Sequence, residues 1–139
     1  LTHSGLLNPN FSIMANSTYR ITTTNGRYNG RQRYKFGNEF QVQLGIKQRI
    51  TLGKLLSDPI LSAQLRTVVA DQVDGNIFSN TGGSWINLRP GTSISLSPKS
   101  SFRIMGDWPI YRRLEGTQLT TTFKIAISFY HTLSLKKKN

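Results

Sequence analysis

The sequence predicts a mainly β, antiparallel protein with one short helix. Two long stretches support the prediction: "EFQVQLGIKQRITL" (residues 39–52) and "TTFKIAISFYHTLSL" (residues 121–135). In both, apolar side chains recur at every second position. A period of two is typical of strands that bury one face of an antiparallel sheet.

Shorter strands are expected where β-branched or aromatic residues lie between Gly, Pro or Asn. They are "STYRITT" (17–23), "SWINLR" (84–89), "TSISLS" (92–97) and "SFRIM" (101–105). The Asn-Gly pairs at 25–26 and 29–30 predict tight turns, because both residue types tolerate positive φ.

The helix is predicted near residues 59–69, within "LLSDPILSAQLRTVVADQVDG". Ser57 or Asp58 is a suitable N-cap, and Pro59 is favoured at the first helical position. Apolar residues then follow at helical spacing, at Leu61, Leu65 and Val68 or Val69. The β-branched end, "TVVADQV", could equally begin a strand.

The chain of 139 residues is expected to be one domain, residues 1–139, with a basic tail at 136–139. Eighteen Lys and Arg oppose six Asp and Glu, a net charge of +12. Such an excess usually indicates that the protein binds an external polyanion. Nucleic acid is the first candidate, and an anionic membrane surface is the second. The absence of cysteine excludes disulfides, thiolate catalysis and Cys-based zinc sites.

No catalytic residue, metal site or cofactor is predicted, and the protein is not expected to be an enzyme. His3 and His131 lie at opposite ends of the sequence, and His131 falls on the apolar parity of the last strand. The acids are scattered, with one exception. Asp71 and Asp74 could share a helix face and bind a calcium ion, or could simply be solvated.

A basic segment, "NGRYNGRQRYKFG" (residues 25–37), contains no acid. If "RQRYKF" is a strand, its cations point one way and its aromatic residues enter the core. The predicted nucleic-acid contacts are Arg27, Tyr28, Arg31, Arg33 and Lys35, with Tyr28 stacking on an unpaired base. The alternative is an exposed cation row that protects a sheet edge.

Two further groups of site residues are predicted. Lys136, Lys137 and Lys138 in the tail are candidate phosphate contacts. Trp108 precedes Pro109 in a loop or strand end, where it is either a lid on the core or an anchor between subunits. His131 is likewise expected at a core or subunit contact.

The pattern of short strands, one helix after the first long strand and a long final strand resembles small single-jelly-roll coat proteins. These build the icosahedral shells of satellite RNA viruses and circovirus-like DNA viruses. The stretches "FQVQLGIKQRITLGKLLSDPILSAQL", "INLRPGTSISLSPKSSFRI" and "TFKIAISFYHTLSLK" carry the resemblance. It implies an eight-stranded jelly-roll sandwich that assembles into a shell and packages viral RNA or DNA on a basic inner face.

Under this hypothesis the partners are copies of the chain itself and the viral genome, with a host receptor as a further candidate. The protein would be found in the virion, without membrane insertion, since no apolar run approaches the length of a spanning helix. One alternative is a β-barrel protein that binds single-stranded nucleic acid with little sequence preference. Another is an adhesive β-sandwich whose basic face engages acidic glycans or lipid headgroups.

Overall fold

A computed structural model describes residues 2–133, and these residues form twelve strands and no helix. All pairings are antiparallel, and they build two sheets. The strands are β1 (Thr2–Asn8), β2 (Phe11–Arg20), β3 (Thr24–Tyr28), β4 (Gln32–Lys35), β5 (Glu39–Gln48), β6 (Ile50–Leu52), β7 (Leu55–Val68), β8 (Gln72–Val73), β9 (Asn76–Ile77), β10 (Gly83–Ser97), β11 (Ser100–Leu114) and β12 (Lys124–His131). The predicted mainly β, antiparallel class is confirmed.

The large sheet is a meander in which each strand pairs with the next large-sheet strand along the chain, in the order β1-β2-β5-β7-β10-β11-β12. β6 continues the line of β5 and pairs with the start of β7. At one end of this sheet the connections are two-residue turns, at 9–10, 53–54 and 98–99. Turns this short fix the register of each hairpin.

At the opposite end the connections are long, spanning residues 21–38, 69–82 and 115–123. The first two contribute β3-β4 and β8-β9, which join into the small sheet. The third is tied to the second, because the Thr117 amide donates to Asn80 Oδ1 at 2.8 Å and Gln118 Nε2 donates to the Gly82 carbonyl at 2.7 Å. The three long connections therefore form one contiguous end of the molecule.

The helix predicted near residues 59–69 is wrong, because this segment up to residue 68 belongs to β7. Leu61 and Leu65 fit a helical spacing, but they also fit a period of two. Ala63 and Thr67 lie on the same parity as these two leucines. β7 pairs along its length with β5 on one side and β10 on the other. This two-sided ladder of backbone hydrogen bonds overrides a weak local helix preference.

The jelly-roll arrangement is not confirmed, because the large sheet follows chain order whereas a jelly roll is built from Greek-key connections. One of the two Asn-Gly turns is confirmed. Asn29 and Gly30 both have positive φ between β3 and β4, whereas Asn25 and Gly26 lie inside β3. A second turn with positive φ, Asp74-Gly75, connects β8 and β9.

The two faces of the large sheet differ sharply in composition. The polar face includes Ser12, Glu39, Gln41, Gln43, Asp58, Ser62, Gln64, Arg66, Trp85, Asn87, Arg89, Arg103, Asp107 and Lys124. The apolar face includes Phe11, Ile13, Tyr19, Phe40, Leu44, Ile46, Leu61, Leu65, Leu88, Phe102, Trp108, Ile125, Ile127 and Phe129. The alternation that the sequence shows is thus realised across the whole sheet.

Burial in this sheet is inverted relative to an ordinary globular domain. On the polar face, Ser62 is 2% exposed and Glu39 is 5% exposed. On the apolar face, Leu44 is 57% exposed and Ile127 is 64% exposed. The sheet therefore curls towards its polar side and leaves its apolar side uncovered.

Buried apolar side chains in the described residues are Tyr34 and Ala70 alone, and both lie in the long connections. The large sheet thus has no hydrophobic core of its own. No helix within residues 2–133 has the length and apolar character needed to cross a membrane.

Gly37 marks the tight junction between the small and the large sheet. A Cβ at this position would overlap the carbonyl oxygen of Val69, a backbone atom that cannot rotate away. We expect Gly37→Ala to lower the free energy of unfolding by about 1–3 kcal/mol, the usual cost of overpacking. Urea unfolding followed by tryptophan emission measures it.

Gly26→Ala is the matched control, because nothing lies within 4 Å of a Cβ at Gly26. It should leave the unfolding midpoint almost unchanged. Equal midpoints for the two variants would contradict the close approach at Gly37.

Candidate functional site

The polar face is organised around the carboxylate of Glu39, at the end of the sheet where the long connections lie. Arg20 Nη2 lies 2.6 Å from Glu39 Oε2, and Arg66 Nε donates to Glu39 Oε1 at 2.5 Å. Gln41 also donates to Oε1. The hydrogen bond from Arg66 holds the pKa of Glu39 below its ordinary value of 4.5, despite the burial that opposes ionisation.

A chain of amide hydrogen bonds continues this network across neighbouring strands. Gln64 Nε2 donates to Gln41 Oε1 at 2.9 Å. Gln43 Nε2 donates to Ser62 Oγ at 3.1 Å, and Arg89 Nη1 donates to Gln43 Oε1 at 3.3 Å. These cross-strand contacts hold the polar side chains in fixed positions.

Further along the same face, the polar groups are less well paired. Arg89 Nε lies 3.9 Å from Asp107 Oδ2, a loose ion pair. The buried side-chain atoms without a hydrogen-bond partner in the described part of the chain all belong to this face, and they are Asn87 Oδ1, Arg89 Nε, Arg103 Nε and Asp107 Oδ1. Such groups cost stability unless water or a ligand satisfies them.

A pocket of about 180 Å³ lies on the polar face beside these groups, and we call it the Trp85 pocket. Strands of the sheet supply Arg66, Trp85, Asn87, Asp107 and Pro109. The connection 115–123 and the start of β12 supply Leu119, Thr120, Thr121 and Lys124. The Arg66 guanidinium stands over the Trp85 ring, with Cζ 5.0 Å from the ring centroid.

The apolar face carries no Lys, Arg, Asp or Glu between the row of Ser17 and the row of Phe129 in the described strands. Its aromatic side chains lie mainly towards the two ends, with Tyr19, Phe40 and Tyr111 at the long connections and Phe11, Phe102 and Phe129 at the short turns. Trp108 lies inside β11, in the row of Leu88, and not in the loop or strand end that the sequence predicts. Aliphatic residues occupy most of the middle.

The predicted parity of the basic segment is found in β4, within the small sheet. Arg33 and Lys35 line one pocket of about 290 Å³, together with Asp74. Tyr34 points the other way and packs against the rings of Tyr28 and Phe36, with centroids 4.7 and 4.9 Å away. Phe36 itself remains exposed.

The remaining members of the basic segment are exposed. Arg27 lies in β3, and Arg31 lies in the turn before β4. Tyr28 is half exposed, and one face of its ring is directed at Tyr34. These positions put the predicted cations at the long-connection end of the molecule, away from the polar face of the large sheet.

Asp71 and Asp74 do not share a helix face, because they flank β8 in a hairpin. Asp71 accepts hydrogen bonds from the Tyr34 hydroxyl and from the Gly37 amide, the latter at 2.7 Å. The Tyr34 bond raises the pKa of that phenol to about 12. Asp74 Oδ1 accepts from the Arg33 amide at 2.8 Å. Both carboxylates hold the small sheet together.

Groups of three or more His, Asp or Glu side chains that could hold a metal ion are not found among residues 2–133. Trp108 lies on the apolar face, 57% exposed, opposite Leu88. His131 ends β12 on the same face, and its Nδ1 lies 2.8 Å from Ser100 Oγ. The predicted contacts Lys136, Lys137 and Lys138 lie outside the described residues.

Residues 1–129 match the model of a protein family described as "Putative MetA-pathway of phenol degradation". The chain belongs to this family. No curated protein and no solved structure matches the chain. The family description names a degradation pathway, and it assigns no role to any residue of this chain.

Sequence reasoning missed Glu39, Arg66, Trp85, Asp107 and Lys124. Glu39 and Lys124 lie on the polar parity of the two long predicted strands, and Arg66 lies within the predicted helix, so none of these three stands out as a site residue. No signal in the sequence singles these residues out, because the uncharged parity opposite them is equally typical of a strand that packs on an ordinary core.

Replacing Glu39 by Gln tests the network of this MetA-pathway family member. The substitution leaves Arg20 and Arg66 without their carboxylate, so we expect the free energy of unfolding at pH 7 to fall by about 1.5–3 kcal/mol. The stabilisation is present above pH 4.5 and is lost as the pH falls through the lower pKa of the folded state. Urea unfolding between pH 3 and pH 7 measures both effects.

Asp58→Asn serves as the control, since it removes a carboxylate that pairs with the half-exposed Arg49 at 2.9 Å. Asp58→Asn should lower the free energy of unfolding at pH 7 clearly less than Glu39→Gln does, because this ion pair is more exposed. If the free energy of unfolding of the Glu39→Gln variant fell between pH 7 and pH 3 as much as that of the unmodified chain, Glu39 would not be the source of this pH dependence.

Proposed function

We propose that this chain forms part of the wall of a polar passage through a membrane, with its apolar face in lipid and its polar face lining water. The inverted burial of the large sheet carries the proposal. A dozen half-exposed apolar side chains present on the order of 1,000 Å², beyond the largest patch of a typical soluble monomer. Such a face needs a cover, and lipid covers it over all its strands at once.

The dimensions of the sheet fit this role. A tilted strand of about 9–11 residues crosses a bilayer, and β2 and β5 have 10 residues each, while β7, β10 and β11 are longer. From Phe102 to Tyr111 a strand advances about 30 Å, or about 23 Å along the normal at a tilt of 40°. That matches an apolar band bounded by aromatic residues.

The two ends of the sheet support the same arrangement. Spanning antiparallel sheets of outer membranes have short turns on one side and long connections on the other. Here two-residue turns lie at one end of the sheet, and the long connections 21–38, 69–82 and 115–123 lie at the other. The small sheet would then project from the membrane surface.

Lipid also imposes a requirement on the edges. Every backbone donor and acceptor in the hydrocarbon must be paired. In the described residues, β1 and β12 are the edges of the large sheet and do not pair with each other. The proposal therefore requires further strands, from the same polypeptide or from another copy, to pair with these edges.

The proposal replaces the expectation that the protein does not insert into a membrane, which depended only on the absence of a long apolar run. The capsid hypothesis and the non-enzymatic role stay predictions. A packaging shell would place the apolar face at contacts between subunits and the polar face against the genome. The two proposals differ in what touches Trp108.

The chain has two tryptophans, one on each face, and this permits a direct test. In phospholipid vesicles with brominated acyl chains, the Trp85→Phe variant keeps only Trp108, which faces the lipid. Its emission should be strongly quenched by the bromine. The Trp108→Phe variant keeps only Trp85, which faces the passage, and should instead be quenched by aqueous acrylamide.

Each variant is the control for the other, because both remove one tryptophan conservatively. Equal quenching of both by brominated lipid, or of neither, would overturn the proposed orientation. Round particles with nucleic-acid absorbance and no lipid quenching would favour the packaging shell.

A charge introduced on the apolar face gives a second test. Ile125 and Ala126 are adjacent, both exposed, and on opposite faces of β12. Ile125→Arg should destabilise the vesicle-inserted protein by about 2–4 kcal/mol, the cost of Arg near the bilayer midplane.

Ala126→Arg adds the same charge to the water side and should insert normally. Insertion is measured by flotation with the vesicles, and stability by urea unfolding in them. Equal loss in both variants would mean that the two faces are not in different media.

A further inference from the structure

The Trp85 pocket combines an aromatic wall with cations whose charge is incompletely paired. Arg66 uses Nε to bind Glu39, and no further hydrogen bond from its guanidinium is made to residues 2–133. Lys124 forms no ion pair within the same range. With Asp107 as the one carboxylate in the lining, the pocket carries a net positive charge.

The volume of the pocket limits what it can hold. An apolar cavity of about 150 Å³ accommodates one benzene ring, and the Trp85 pocket measures about 180 Å³. Pro109 adds apolar surface to the lining. The space suits one ring with one or two small substituents, and the indole favours a planar aromatic ring over an aliphatic one.

Acceptors are also present at the base of the pocket. Asn87 Oδ1 and Asp107 Oδ1 are buried and accept no hydrogen bond. Both belong to side chains that line the pocket. A ligand hydroxyl is the donor that would satisfy one of them.

We infer that the Trp85 pocket is a binding site for a small hydroxylated aromatic carboxylate within the passage. The carboxylate is bound by Lys124 and the free guanidinium nitrogens of Arg66, the ring packs on Trp85, and the hydroxyl donates to Asn87 or Asp107. This inference rests on the proposed function, since a solute reaches the pocket along the polar face. Part of the pocket is formed by the connection 115–123, which lies over that face.

The test is calorimetric titration of the full chain, in detergent micelles, with 4-hydroxybenzoate. We expect saturable binding, weakened about tenfold or more by Lys124→Gln through loss of a charge-assisted hydrogen bond. Trp85→Leu should weaken it as well. Lys47→Gln is the matched control, because Lys47 lies on the same face outside the pocket, and it should leave the affinity unchanged.

Two further ligands separate the contributions of charge and ring. Cyclohexanecarboxylate keeps the charge without the aromatic ring, and phenol keeps the ring without the carboxylate; both should bind more weakly. Equal affinity for all three, or equal weakening by Lys47→Gln and Lys124→Gln, would overturn the site. Lipid quenching of Trp108 together with no saturable binding would overturn the pocket alone and leave the membrane passage standing.

Discussion

The uncovered apolar face of the large sheet is the constraint on which the rest of the structure depends. In an ordinary domain the apolar side of a sheet packs on a second layer, and burial of that layer supplies most of the stability. Here the described strands have no second layer, and the buried apolar residues Tyr34 and Ala70 lie elsewhere. The sheet is held by its backbone ladder, which becomes stronger in a medium of low dielectric constant, and by the polar network on its opposite face.

The polar network in turn explains how a curled sheet can bury charge. Glu39 is almost fully covered, yet it remains ionised because Arg20 and Arg66 both reach it. The amides of Gln41 and Gln43 then transmit fixed hydrogen-bond geometry to the neighbouring strands. Where this network ends, near Asp107, unpaired atoms appear, and the Trp85 pocket lies beside them. Arg66 belongs both to this network and to the lining of the Trp85 pocket, so the ordered and the unpaired polar groups are neighbours on the same face.

A period of two identifies which residues share a face, but it does not say which face is buried. The parity of β5 and β12, and of Arg33 with Lys35, was therefore predictable from the sequence, whereas the inverted burial was not. The helix near 59–69 failed because an isolated segment does not reveal that β5 and β10 will pair with both of its edges. The Trp85 pocket could not be predicted either, since its residues come from four separate parts of the chain and meet only through the sheet register.

The positive charge of the chain was interpreted as one surface for a polyanion, and the structure distributes it differently. Arg27, Arg31, Arg33 and Lys35 lie in or beside the small sheet, while Arg66, Arg89, Arg103 and Lys124 lie on the polar face of the large one. In contrast to both groups, the central rows of the apolar face carry no Lys, Arg, Asp or Glu in the described strands. Attraction of phosphate does not require that the central rows of one face be free of charge. The separation of charge by face is instead what a sheet between lipid and water requires, because an Arg is costly on one side and hydrated on the other.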